Sequence, residues 1–247
     1  MENKLKFSLI GNGFISPRHI SAIQAAGGEI VGRDCGEDFI SILTPNYLHF
    51  DMVKKEALKG KVVLCEKPLA LTSKHIKELC RLSGVYTVLQ LRHHPLVKEI
   101  KVEKTNEIEM DISVSRDLHY FQGWKGQLEL SGGILFNLGI HYFDMLLHLF
   151  GEVKEVKVKH LDDMLAFGTI IGEKFVCKWR LCLNEYKDKQ RRVFMVNGKK
   201  YNFSSKDNLS YEDLHVAVYR DLIAGKGVTP KDVLPVTNLI EKLYQYA

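Results

Sequence analysis

The sequence predicts an α/β unit built on a parallel sheet, followed by an α+β unit built on an open, mostly antiparallel sheet. Three observations carry this. Up to about residue 92, short apolar runs alternate with helical stretches in a β-α-β-α-β rhythm, the spacing of parallel strands covered by helices. From residue 93 onward, segments such as EIEMDISVSRD, EVKEVKVKH and KFVCKWRLCLN alternate apolar and polar residues, as antiparallel strands with one wet face do. Near the N-terminus LKFSLI runs into Gly11-Asn12-Gly13 and then a helix, the opening of a nucleotide-binding βαβ unit.

The elements follow in order. Residues 5–10 form the first strand, and Pro17 opens the helix that continues through HISAIQAAGG, with Gly27-Gly28 at its end. Phe39–Leu43 is the next strand, then the helix HFDMVKKEALKG, the strand KVVLCEKP, the helix SKHIKELCRLSG and the strand YTVLQLR. AFGTIIG, RRVFMVNG and KKYNFS join the alternating strands of the second part, and YEDLHVAVYRDLIAG and KDVLPVTNLIEKLYQY close the chain as two helices. The domain boundary is therefore expected at 92/93, with residues 1–92 Rossmann-like and 93–247 an α+β domain.

Bulk properties narrow the function. The 247 residues are 45% hydrophobic and 26% charged, ordinary for a globular protein. The formal charge of +5 is spread along the chain, a solvated basic surface with no nucleic-acid stripe. No run approaches the roughly 18 apolar residues of a membrane helix, and MENKLKFSLIGNG is too short for a signal sequence. Five cysteines without a CxxC pair indicate reduced thiols, hence a cytoplasmic protein with no metal site.

Three motifs carry chemistry. Gly11-x-Gly13 permits a tight turn and lets backbone amides approach a pyrophosphate at a helix N-terminus, although position 16, where a third glycine is usual, is Ser. In Cys65-Glu66-Lys67-Pro68, Lys67 stands at a strand's C-terminal end, where it can stabilise negative charge developing on a reacting oxygen. In SGGILFNLGIHYFD a helix places Asn137 and His141 on one side, with Asp144 a turn beyond. A histidine there can serve as general base for a carbinol proton, whereas His148 reads as a core histidine.

Together, IGNGFISPRHISAI, ISILTPNYLHFDM, VVLCEKPLALT, SGGILFNLGIHYFDML and DLHVAVYRDLIAGKG resemble, in order, the Gfo/Idh/MocA family of nicotinamide-dependent oxidoreductases. TVLQLRHHP, SVSRDLHYFQGWKG and the SGG block are similar to family members that oxidise C3 of UDP-N-acetylglucosaminuronic acid (UDP-GlcNAcA) for surface-polysaccharide synthesis. The resemblance implies an NAD-dependent dehydrogenase, with NADP left open; the alternatives are action on another sugar or cyclitol, or a non-catalytic ligand-binding derivative of the family. It assigns catalysis to Lys67 and His141, which flank the carbon losing hydride, with Asn137 nearby. It implies cofactor contacts from Gly11, Asn12, Gly13, Phe14, Ile15, Thr44, Pro45, Asn46, His49, Glu66, Lys67, Gln90, Arg92 and Trp124. Substrate contacts fall to Lys67, Arg116, Lys125, Asn137 and His141; arginine suits a uronate carboxylate or a diphosphate because its planar fork bonds two oxygens, and a strand-face salt bridge is the other reading of Arg116. The expected partners are a UDP-sugar and further copies of the chain, as a dimer or tetramer.

One departure stands out. Only thirty residues separate Gly13 from Thr44, where relatives have about twice as many. If EIV were a second parallel strand, seven residues would have to return the chain, and parallel connections usually take a dozen or more. The expectation is a sheet trimmed at one edge, or EIV paired in another direction. The acid that holds the adenosine ribose is then in question: Asp34 is first by order, with Glu29 and Asp38 as alternatives.

Overall fold

The computed structural model describes residues 4–116, 119–184, 190–204 and 211–246. Asp117 and Leu118 of the SVSRDLHYFQGWKG block lie outside them. The chain divides into two compact units, Met1–His93 with Leu209–Leu234, and His94–Asn208 with Pro235–Ala247. The sequence boundary at 92/93 assigns everything after it to the second domain; the packing instead returns Leu209–Leu234 to the first unit.

The first unit is a five-stranded parallel sheet. Its elements are β1 (Lys6–Ile10), α1 (Ser16–Ala25), β2 (Glu29–Ile30), β3 (Phe39–Ile42), α2 (His49–Leu58), β4 (Val62–Cys65), α3 (Ser73–Leu79) and β5 (Val85–Thr87), in sheet order β2-β1-β3-β4-β5. α1 carries Pro17 in its first turn, where the missing N–H costs nothing. Thr72 caps α3, accepting the His75 N–H. Apolar strand faces and helix stripes meet in a cluster of Phe7, Ala22, Ile23, Leu64, Val88, Val218, Tyr219 and Leu222.

The EIV segment corrects the sequence expectation. β2 is parallel to β1, and Phe7 pairs with Ile30 on one flank and with Phe39 of β3 on the other. Because β2 is two residues long, it ends level with the start of β3. Residues 31–38 need only cross beneath one strand, roughly 10 Å at ordinary strand spacing, so no dozen-residue return is required. The sheet keeps its outer strand in abbreviated form.

The second unit contains α4 (Pro95–Glu99), β6 (Asn106–Ser115), α5 (His119–Gln122), α6 (Leu128–Ser131), α7 (Ile140–Phe150), β7 (Val153–Leu161), β8 (Leu165–Gly172), β9 (Phe175–Asn184), β10 (Arg191–Val196) and β11 (Lys199–Asn202). Its six strands run β11-β10-β6-β9-β8-β7. The pairings are antiparallel except β6 with β9, which is parallel over ten positions. Ile108, Met110, Ile112, Phe175, Cys177, Trp179 and Leu181 point inward. Outward, Asp111 pairs with Arg180 and Arg191 at 3.2 and 2.7 Å. The helical run Leu128–Phe150 is long and apolar enough to pass a crude membrane-span test, but 61% of its most apolar stretch is buried in the protein, as a core helix is. α8 (Tyr211–Ile223) and α9 (Pro230–Gln245) complete the chain.

Candidate functional site

Four adjacent strands of the first sheet end at one edge, and each end carries a sequence-predicted residue. The glycine loop follows β1, Thr44-Pro45-Asn46 follow β3, Glu66-Lys67 follow β4, and Gln90 lies beyond β5. At about 4.8 Å between strands this row spans roughly 15 Å. It is the C-terminal edge, where open α/β sheets bind ligands.

The loop after β1 is shaped for a diphosphate. Gly11 has φ +108°, and a Cβ there would stand 2.8 Å from the Leu43 carbonyl carbon and oxygen, whereas a Cβ on Gly13 would meet nothing within 4 Å. Gly11 thus lets β1 approach the end of β3, and Gly13 keeps the outer side of the loop clear. Among the described residues, the backbone N–H groups of Gly13, Phe14 and Ile15 donate to no protein acceptor; with the positive end of the α1 dipole they form an anion cradle. Asn12 is exposed and Phe14 is 95% exposed. At the other end of the row, the Gln90 side-chain oxygen is buried without a hydrogen-bond partner among the described residues, a polar group that a bound ligand would satisfy. The amide cradle and this unpartnered carboxamide fit the two ends of a nicotinamide–diphosphate group.

Three predicted cofactor residues sit elsewhere than expected. His49 is wholly buried, its Nδ1 and Nε2 lying 2.6 Å from the Pro68 carbonyl and 2.7 Å from the Thr44 carbonyl. It ties two strand-end loops together from behind and does not line a groove. Burial holds its pKa below the usual value, and the two carbonyls offset only part of that. The Glu66 carboxylate turns inward to His19 Nε2 at 2.9 Å, its other oxygen accepting the Lys67 backbone N–H at 3.2 Å. Burial alone would raise its pKa, but the hydrogen bond from His19 and the nearness of His215, 3.8 Å away, outweigh that and hold it well below the usual carboxylate range.

Asp34 is the third. Its neighbour Arg33 pairs with Glu56, near the C-terminal end of α2, and the Cys35 N–H bonds Glu37, which pairs with Lys61 just before β4. These contacts hold Asp34, with φ +59°, beside the N-terminal edge of the sheet. Glu29 starts β2, and Asp38 accepts the Lys6 N–H at the start of β1. All three candidate acids therefore lie at the edge opposite the glycine loop. The reason is the two-residue β2, whose last hydrogen bond, Val31 N–H to Phe7 carbonyl, falls three residues short of the end of β1. Arg92, also in this unit, donates to the Asp232 carbonyl at 3.4 Å.

The second unit gathers the predicted substrate residues. Arg116 and Lys125 both lie over the Tyr120 ring, at 5.2 and 5.0 Å, and Lys125 also lies 5.7 Å from the Trp124 ring. Desolvation first, and then the Arg116 charge, hold the Lys125 pKa below its usual value. Tyr120, Lys125, Ser131, Asn137 and Asp163 line a small cavity, so one cation, an amide and a carboxylate face one space, with Arg116 over the Tyr120 ring. The Asn137 segment is π-helical over Leu135–Gly139 before α7 begins, an irregularity common at functional sites. His141 is half-buried, Asp144 buried, and His148 exposed rather than in the core. The residues that sequence reasoning missed are His19, His215 and Tyr219; the four-residue spacing of the last two on one helix was the available signal.

A family model described as the oxidoreductase family, NAD-binding Rossmann fold, matches residues 32–89, and the C-terminal alpha/beta domain of the same family matches 96–168. The chain is 30% identical over 157 residues to 2,7-anhydro-N-acetylneuraminate hydratase of Escherichia coli, and 29% identical over 149 residues to inositol 2-dehydrogenase of Rhizobium meliloti. These matches take 58% and 55% of this chain but only 42% and 41% of the relatives, so the chain spans about two-fifths of the curated proteins it matches. Among solved structures, the WlbA (WbpB) dehydrogenase of Thermus thermophilus in complex with NAD and alpha-ketoglutarate superposes with TM-score 0.89 at 27% identity, covering 98% of this chain and 96% of that one. The same enzyme in complex with NAD and UDP-GlcNAcA gives 0.87 at 28% identity, covering 98% and 95%.

Proposed function

Because the chain belongs to the Gfo/Idh/MocA oxidoreductase family, we propose that it is an NAD-dependent dehydrogenase that oxidises the C3 hydroxyl of a UDP-linked N-acetylated hexuronate. The observation that carries the substrate class is the Arg116–Lys125 pair on the Tyr120 ring, whose Lys125 lines a cavity with Asn137. Two cations held over one aromatic ring repel each other unless an anion lies between or beside them, and a nucleotide-sugar uronate offers both a diphosphate and a carboxylate. The likeness to the Thermus thermophilus enzyme that binds NAD and UDP-GlcNAcA supports the same choice.

The chain's own residues divide the work. The amides of Gly13, Phe14 and Ile15 bind the cofactor diphosphate, and Gln90 orients its nicotinamide end. When bound, the nicotinamide supplies the hydride acceptor. Lys67, at the end of β4, stabilises the charge that grows on the substrate oxygen. His141 takes the hydroxyl proton as general base, and Asn137 holds the sugar. The proton goes to His141 and the hydride leaves the same carbinol, so a ketone remains.

A second reading, action on another sugar or cyclitol, follows from the 29% identity to inositol 2-dehydrogenase. A substrate panel followed by NADH absorbance at 340 nm separates the two. Turnover of UDP-GlcNAcA that Lys67→Met abolishes while NAD still binds is the expected result. Turnover of inositol or free sugars with none of UDP-GlcNAcA moves the assignment to the second reading. NAD binding without oxidation of any panel member refutes both.

A further inference from the structure

Beneath the reacting edge of the first unit, four elements contribute to one buried line of hydrogen bonds. Ser41 of β3 lies 2.9 Å from the Tyr219 hydroxyl of α8, that hydroxyl lies 2.8 Å from His19 Nδ1 of α1, and His19 Nε2 lies 2.9 Å from Glu66 Oε1 after β4. His215 Nε2, a turn before Tyr219, stands 3.8 Å from the same carboxylate oxygen. Ser41, His19, His215 and Tyr219 are each no more than 1% exposed. The other Glu66 oxygen accepts the Lys67 backbone N–H.

The chemistry of the donors sets one direction for a neutral His19. An ionised carboxylate only accepts, so His19 Nε2 carries the proton and donates. Nδ1 is then an acceptor, Tyr219 must donate to it, and Ser41 must donate to Tyr219. Every hydroxyl and ring nitrogen in the line has a single role, which fixes the Glu66 rotamer through a line that joins His19 to Tyr219, residues 200 positions apart in the chain.

We propose that Glu66 is a positioning residue for Lys67, oriented by His19 and Tyr219, so that the returning helix α8 sets the geometry of the reacting lysine. The role rests on the reading that Lys67 acts on the substrate oxygen. Packing alone does not call for a carboxylate, because a buried polar pair replaced whole by apolar residues of similar volume fills such a space without loss of stability. The carboxylate's specific contribution is its bond to the Lys67 N–H and a negative charge one residue from the ammonium-bearing side chain. The same three atoms, His19 Nε2, Glu66 Oε1 and His215 Nε2, lie within 4.8 Å of one another, a spacing that a metal ion would also accept.

The test uses the full chain with Tyr219→Phe, Glu66→Gln and the double variant. Each single change lowers kcat about tenfold, with KM and Kd for NAD within about twofold, and the double variant is no slower than the slower single one, because both act through one line. Independent losses that multiply to about a hundredfold, or equal effects on NAD binding, overturn the proposal. A second measurement needs no turnover: acetic anhydride labelling of lysine amines across pH, read by mass spectrometry. Glu66→Gln lowers the Lys67 midpoint and leaves the other lysines in place; an unmoved Lys67 midpoint overturns the proposal. If no sugar is oxidised, the functional assignment falls and the labelling still decides. One equivalent of zinc per purified chain, whose removal lowers the melting temperature, also overturns it in favour of a metal centre.

Discussion

Replacing Gly11 with Ala separates the loop's two glycines by what each one does. At φ +108° an L-residue is strained by about 1–3 kcal/mol. The added Cβ would also stand 2.8 Å from the Leu43 carbonyl carbon and oxygen, backbone atoms that cannot step aside alone. Moving them stretches the 2.8 Å bond from Leu43 N–H to the Ile10 carbonyl, worth about 1 kcal/mol net. Together Gly11→Ala costs about 2–4 kcal/mol, which for a chain of this size lowers the melting temperature by about 5–15 °C. Gly13→Ala meets nothing within 4 Å, so its melting temperature stays within about 2 °C, inside the ordinary range for surface changes. Its methyl group occupies the clear side of the amide cradle, and NAD affinity falls about tenfold, or 1.4 kcal/mol. Circular-dichroism melts without cofactor and isothermal titration with NAD read the two effects. A Gly11→Ala protein that melts with the wild type, or a Gly13→Ala protein with unchanged Kd, refutes this division of roles.

Other outcomes follow from the same geometry. Lys125→Ala raises KM for UDP-GlcNAcA about tenfold, an effect of about 1.4 kcal/mol that shrinks in high salt; equal weakening toward an uncharged sugar in the same assay would count against an anion-holding role. Phe143→Ala removes a fully buried ring that packs edge-to-face on Trp179 at 5.4 Å, costing about 3–5 kcal/mol in chemical denaturation. Because the folded-state pKa of Glu66 is depressed, its ionised form stabilises the fold above the unfolded value near 4.3 and loses that contribution as pH falls toward the folded value. The stability gap between wild type and Glu66→Gln is thus flat from pH 7 to about 5 and closes below pH 4.3; urea titrations at several pH values show a widening gap instead if the sign is wrong.

Four of the five strands of the first sheet were legible because each is an apolar run with a turn signal after it, and the second sheet because its faces alternate. Lys67 and the glycine loop were legible by place, since each follows a strand that ends on one edge; Gln90 came only from the resemblance, because the strand read as YTVLQLR ends at Thr87. β2 was misread because the rule for parallel connections assumes strands of full length, and a two-residue strand needs no return. That brevity then moved Asp34 away from the glycine-loop edge, which no local pattern announces. His49 and Glu66 entered as cofactor contacts implied by the resemblance, but whether such a side chain faces out or in depends on distant partners. For Glu66 those partners are His19 on the first helix and His215 on the eighth, and no local window spans them. The π-helical stretch at Leu135–Gly139 has no composition that distinguishes it from ordinary helix.

The return of Leu209–Leu234 to the first unit has a consequence for biosynthesis. More than a hundred residues separate His93 from Leu209. At about 5–20 residues per second the ribosome needs roughly 6–25 s to make them. Throughout that interval the nascent first unit lacks Tyr219, and the faces of Phe7 and Ile23 that α8 will cover stay open to other chains. The second unit, apart from the end of α9, is already synthesised by then. Premature termination before residue 209 would therefore release a chain with a nearly complete second unit and an unsealed first one, the form most open to chaperones and proteases.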